Sequence, residues 1–256
     1  MCLINKYFTM KKVLFTVLMI FSFAVVQAQE IEFTADRPGA STGPSTVAKG
    51  VIQLEQGVQY DGDGEKGAFT FSNTMFRYGL FNGVELRLCG DGFIYNNGSK
   101  WKPAFSGVSI GTKIRCYEGD GAVPAVSVLA DFSIPYTGTE GFVVENFTPS
   151  LYLLFENSLN DKFSLGYNVG AEWNGVSPSP VAFLALCLGY SINDDLGCFV
   201  EGYNYFGKAG NQFCADFGFN YMVGHKVQLD VAANLDLRDP AHCWAVSFGV
   251  AWQMNK

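Results

Sequence analysis

Residues Val51–Tyr60 read Val-Ile-Gln-Leu-Glu-Gln-Gly-Val-Gln-Tyr. In an extended chain Ile52, Leu54, Val58 and Tyr60 fall on one side, and Gln53, Glu55, Gly57 and Gln59 on the other, because successive strand side chains point to opposite faces. One face is therefore apolar, and the other is polar and carries a charge. The preceding stretch has no such period. It runs Asp36-Arg-Pro-Gly, then a Ser/Thr/Gly/Pro run to Pro44, then Lys49-Gly50, and it is rich in turn formers. An irregular segment thus hands over to an alternating strand.

The alternation recurs to the end of the chain. Further candidate strands are Phe69–Leu80, Val84–Gly90, Phe105–Tyr117, Pro124–Ile134, Pro149–Glu156, Phe163–Trp173, Val181–Tyr190, Leu196–Tyr205, Gln212–Met222, Lys226–Leu237 and Cys243–Met254. With the first, that makes twelve. No stretch shows helical periodicity, and Gly, Phe and Tyr at this density disfavour helix. Short connections (Phe81–Gly83, Glu118–Val123, Asn157–Asp161, Ser191–Asp195, Gly224–His225) alternate with others that are mostly longer or richer in Gly and Pro. These are Asp61–Ala68, Asp91–Ala104, Pro135–Phe147, Asn174–Pro180, Phe206–Asn211 and Arg238–His242. Short periplasmic turns and longer outer loops are the habit of outer-membrane barrels. The expected fold is all-β: a single antiparallel transmembrane β-barrel of about 12 strands over residues 50–256, lipid outside and polar groups inside.

Assigning the apolar face to lipid gives outward sets such as Val84, Leu86, Leu88; Leu151, Leu153, Phe155; and Trp244, Val246, Phe248, Val250, Trp252. Aromatics make up 15% of the chain, and Tyr60, Tyr78, Trp173, Tyr221 and Trp252 near strand ends suit interfacial girdles. In a soluble β-sandwich they would fill a core. The membrane reading is favoured by strand lengths of about 10 residues and by the N-terminus, where Lys11-Lys12, an apolar run and Gln27-Ala28 form a signal-peptide pattern over residues 1–28. Cleavage there removes three lysines and takes the formal net charge from −7 to −10. That balance argues against nucleic acid as a partner. The expected partners are outer-membrane lipid, the barrel-assembly machinery in transit and a small solute. Six cysteines remain, without metal-ligand spacing, and are read as small apolar strand residues.

The lumenal face carries Glu55, Arg77, Glu85, Arg87, Lys113, Arg115, Asp131, Glu156, Glu172, Glu201, Asp216 and Asp230. All four bases fall on the second to fourth strands, and six of the eight acids on later ones. A closed barrel would set a basic wall against an acidic one, with a field across the lumen that orients dipoles and sorts ions. Residues 29–49 form an irregular segment, read as a lumen plug or a periplasmic tether, the tether being expected.

Asp36-Arg37-Pro38-Gly39, Ser41–Val47, Lys49-Gly50 and Gln53–Gly57 resemble the N-terminal signature of the MetA-pathway phenol-degradation family, as do Phe76-Arg77-Tyr78-Gly79-Leu80 and Val84-Glu85-Leu86-Arg87-Leu88. The signature positions are Asp36, Arg37, Pro38, Gly39, Gly50, Glu55, Gly57, Arg77, Tyr78, Gly79, Leu80, Glu85 and Arg87. The signature covers residues 33–90, and beyond them the likeness is architectural. Members are transporter-like outer-membrane barrels, so the resemblance implies an outer-membrane protein that passes small molecules, aromatic ones included.

Against a channel stand a barrel with a closed lumen and an adhesive barrel. The adhesive reading would use the Asp91–Ala104 loop, with Phe93, Tyr95 and Trp101. An outer-membrane lipid hydrolase is disfavoured, since His225 and His242 are the chain's two histidines and no Gly-x-Ser-x-Gly occurs. No cofactor, metal site or phosphate loop is expected.

Overall fold

The computed structural model describes residues 33–254 apart from 64–65, 97–99, 121, 176 and 209, so the signal peptide lies outside the described residues. Twelve strands follow in chain order: β1 (Ile52–Asp63), β2 (Lys66–Phe81), β3 (Val84–Asn96), β4 (Trp101–Tyr117), β5 (Ala125–Ser133), β6 (Thr148–Ser158), β7 (Phe163–Glu172), β8 (Val181–Ser191), β9 (Leu196–Gly207), β10 (Gly210–Val223), β11 (Val227–Asp236) and β12 (Cys243–Gln253). Each pairs antiparallel with its neighbour in sequence, and β1 closes on β12 from Gln53↔Gln253 to Asp63↔Cys243. The barrel therefore has no free edge.

The alternation decides inside from outside as expected. Gln53 and Glu55 are buried while Val58 and Tyr60 are exposed, and Leu86, Leu88, Leu151, Leu153, Phe248 and Trp252 stand outward. Exposed large apolar side chains continue around the barrel, from Phe76 on β2 through Leu186 on β8 to Phe219 on β10. Such a band on a closed barrel is a lipid-facing surface. Among the described residues all six cysteines are free thiols.

The connections depart from the expected alternation of short and long. Asp91–Ala104 is not a loop, because β3 continues to Asn96 and β4 begins at Trp101. Asp61–Ala68 and Phe206–Asn211 likewise are mostly strand. β2 and β4 reach 16 and 17 residues, against about 9–11 needed to cross a bilayer. These hairpins stand above the membrane. A turn-rich sequence continued as sheet because each strand found a partner across the hairpin. The long outer connection is β5–β6, residues 134–147. It folds back against β4 through Val108 N to Thr137 Oγ1 (2.8 Å) and Thr139 N to Phe105 O (3.0 Å). Phe142 from this loop packs on Phe93 and Tyr95, with ring centroids 4.9 and 5.0 Å away, so those two aromatics are not a free contact surface.

Candidate functional site

The stretch expected as a periplasmic tether lies inside the barrel. From Thr34 to Gly50 it circles the inner wall and bonds to one strand after another. Gln53 and Arg77 donate to Thr34 O from β1 and β2. Arg37 reaches Asp230 on β11, and the Ser41 hydroxyl donates to Glu201 on β9 at 2.9 Å. Thr42 exchanges both backbone groups with the Asn168 amide on β7, at 2.7 and 3.0 Å. The Ser127 hydroxyl on β5 donates to Pro44 O, and Val47 N to Glu85 on β3. At the exit Gly50 N donates to Gly79 O at 2.7 Å. A side chain at Gly79 would strike the Val47 and Ala48 carbonyls, so only glycine lets the segment lie against β2 there.

A buried ion cluster anchors this segment. Arg77 is bidentate on Glu85 (2.9 and 2.8 Å) and donates to Glu55 at 2.8 Å. Asp36 is held by Arg87 Nη1 at 2.5 Å, Lys113 Nζ at 2.7 Å and Arg77 Nη1 at 3.5 Å. Lys113 completes its donors on Gly43 O and Ser45 O (3.0 and 3.1 Å), and Glu55 accepts the Asp36 and Arg37 amides. Arg77, Lys113 and Glu85 are wholly buried. Burial opposes the charge on Asp36, and the three cations around it keep it ionised. Three cations on β2–β4 meet Asp36, Glu55 and Glu85, so the basic wall is neutralised where it stands. The expected field across the lumen is mostly cancelled.

Arg37 has its own seat. Asn73, Gly57, Gly249 and Asp230 stand in one row across β2, β1, β12 and β11. The guanidinium lies over the two glycines, giving Nη1 to Asn73 (3.0 Å) and Nη2 and Nε to Asp230 (3.0 and 3.2 Å). A Cβ on either glycine would occupy its place. Gly249→Ala is expected to expel Arg37 and weaken docking of the segment by about 1.5–3 kcal/mol, the value of hydrogen bonds to a charged group. Hydrogen exchange should show it as roughly tenfold or greater loss of protection at the Thr42 and Val47 amides.

The other lumenal candidates divide. Arg115 pairs with Glu118 at 3.2 Å at the turn end of the barrel. Asp131 stands 3.6 Å from Arg87, and Glu172 accepts the Tyr152 hydroxyl at 2.5 Å. Glu201 and Asp216 face each other across β9 and β10, and Glu156 lines the turn-end cavity. Of the signature residues, Asp36, Arg37, Glu55, Gly57, Arg77, Gly79, Glu85 and Arg87 all dock or seat the segment, and Gly39 lies against Glu201 and Phe199, where a Cβ would not fit. Tyr78 points outward to the lipid side, and Leu80 is half-buried next to it. Asp36 and Arg37 were absent from the lumenal set because an aperiodic segment has no face to read.

Cavities flank the segment on both sides. One of about 550 Å³ opens at the turn end, and two of about 280 and 200 Å³ lie at the loop end. Pro38 and Gly39 line both the first and the second, and Thr42 both the first and the third. Among the described residues, Pro38, Gly39 and Thr42 of the segment are thus a wall common to cavities at the two ends of the lumen.

Residues 35–254 match the family described as the MetA-pathway of phenol degradation. No curated protein matches the chain. Among solved structures, an outer membrane channel from Pseudomonas putida F1 is similar at TM-score 0.64 and 12% identity, over 85% of this chain and 99% of its own. The KdgM porin in complex with disordered oligogalacturonate gives 0.56 and 12%, over 80% and 99%. The NanC porin gives 0.54 and 13%, over 78% and 100%. At these identities the likeness is one of fold.

Proposed function

From a chain that belongs to the MetA-pathway phenol-degradation family, we propose an outer-membrane channel that passes small solutes, aromatic ones included, through a lumen constricted by residues 36–47. One observation carries the reading: the cavities on either side of the segment share Pro38, Gly39 and Thr42 as their common wall. Passage then requires a local shift of a few residues and leaves the barrel intact. In this reading lipid covers the apolar band, the barrel-assembly machinery inserts the chain, and residues 1–28 are cleaved on export. The protein is not an enzyme, and His242 serves the β11–β12 loop, where its Nδ1 lies 2.8 Å from Asp239 with both side chains exposed.

Single-channel recording across a planar bilayer tests this. Wild type is expected to give discrete, small conductance steps, as a narrowed lumen dictates. A silent bilayer, from protein whose heat-dependent gel mobility shows a folded barrel, would favour the closed-lumen barrel instead.

A further inference from the structure

The loop-end chamber of about 200 Å³ has a wall set by strand register. Leu129, Tyr152, Gly170, Phe183 and Tyr205 stand side by side across β5 to β9. The missing side chain at Gly170 makes room for the Tyr152 ring, which a Cβ there would strike. Phe183 meets Tyr152 edge-on at 5.7 Å and lies 5.0 Å from Tyr205. Tyr152 spends its hydroxyl on Glu172, so it offers the chamber a ring. Aromatic walls of this kind favour another ring in edge or offset contact.

The chamber also touches Arg87 and Asp131. Arg87 Nε and Asp131 Oδ1 face each other at 3.6 Å, and neither makes a hydrogen bond. The Asp131 side chain keeps 22% exposure although Oδ1 is buried, so the rest of that carboxylate is open to a donor. The geometry points to a binding subsite for a single-ring aromatic that carries a hydrogen-bond donor, with the ring against Tyr152, Phe183 and Tyr205 and the donor on Asp131. Size agrees, since a cavity of about 150 Å³ accepts benzene. Ala40 and Thr42 of the segment close one side of the chamber. The subsite thus rests on the passage reading, because it lies on that route.

The test is equilibrium dialysis of the detergent-folded protein against phenol, benzene or cyclohexanol, with protein-free micelles as baseline. Wild type is expected to retain phenol about tenfold more tightly than benzene, which lacks the donor, a factor that one hydrogen bond to a carboxylate supplies. Cyclohexanol, which lacks the aromatic face, should be held more weakly than phenol as well. Asp131→Ala should erase the preference for phenol over benzene. Ala40→Leu, which fills the chamber from the segment and leaves the strand wall untouched, should bring retention to baseline, and it decides the matter if Asp131→Ala fails to fold. Phenol retained no better than by micelles, or equally by Ala40→Leu, overturns the subsite. Bilayer recordings on the same preparation separate the two readings. Selective retention with a silent bilayer upholds the subsite and removes the passage, whereas conductance without retention removes the subsite and leaves the passage standing.

Discussion

Asp36→Ala is expected to raise the single-channel conductance several-fold while the barrel stays folded. Asp36 is the carboxylate that Arg87, Lys113 and Arg77 share, at 2.5, 2.7 and 3.5 Å. Removing one partner from a buried ion cluster costs about 3–5 kcal/mol, because the remaining charges stay desolvated without compensation. That cost falls on the docked state of the segment. It can be relieved by withdrawing the segment and letting water reach the cations. The strand ladder does not depend on it, since all twelve strands pair continuously with their neighbours. Docking therefore weakens while the barrel persists. Arg77 keeps Glu55 and Glu85, so residues near Val47 stay anchored while residues 36–43 come loose. The measurement is conductance in a planar bilayer, beside a gel-mobility control for folding. Unchanged conductance from folded protein would mean that the segment does not set the constriction.

What could be read from the sequence follows from where periodicity exists. Each strand faces lipid on one side and the lumen on the other, so Ile52–Tyr60 or Val84–Leu88 reveals both its conformation and its orientation. Strand ends are less legible. Asp91–Ala104 holds Gly, Asn and Pro and reads as a loop, yet it forms a hairpin because β3 and β4 pair along their whole length, around an irregularity at Gly90 to Gly92. The position of the segment was not legible at all, since Asp36–Lys49 has no period and its bonds are mostly from its backbone to distant side chains. One trace of it was present. Arg77, Arg87 and Lys113 stand on neighbouring strands with Glu55, Glu85 and Asp131 beside them, and buried cations need close partners. Asp131 stays 3.6 Å from Arg87 and partly exposed, and the close anion for Arg87 and Lys113 is Asp36, which the segment supplies.

With the basic wall neutralised, the ion preference of the lumen should follow the acids left over. Glu201→Gln combined with Asp216→Asn is expected to bring a cation-selective channel close to non-selective. Glu201 and Asp216 oppose each other across β9 and β10, and among the described residues neither lies within ion-pair distance of a cation. Their partners from the segment are neutral donors, the Ser41 hydroxyl and the Ala40 and Ser41 backbone on Glu201 and the Ala40 backbone on Asp216. Arg37, the cation that the segment brings to this side, is spent on Asp230. A monovalent ion about 8 Å from one carboxylate, at an effective dielectric of about 20, gains about 2 kcal/mol, which salt reduces to a several-fold preference for cations. Both substitutions keep size and one acceptor oxygen, which can take the Ser41 hydroxyl and hold the segment in place. Reversal potentials under a salt gradient above neutral pH measure the ratio directly. Arg115→Gln serves as the contrast, because Arg115 is already paired with Glu118 at the turn end and its loss should shift the ratio little. A ratio that ignores the two carboxylates and follows Arg115 would put the selecting charge at the periplasmic mouth and not at the segment.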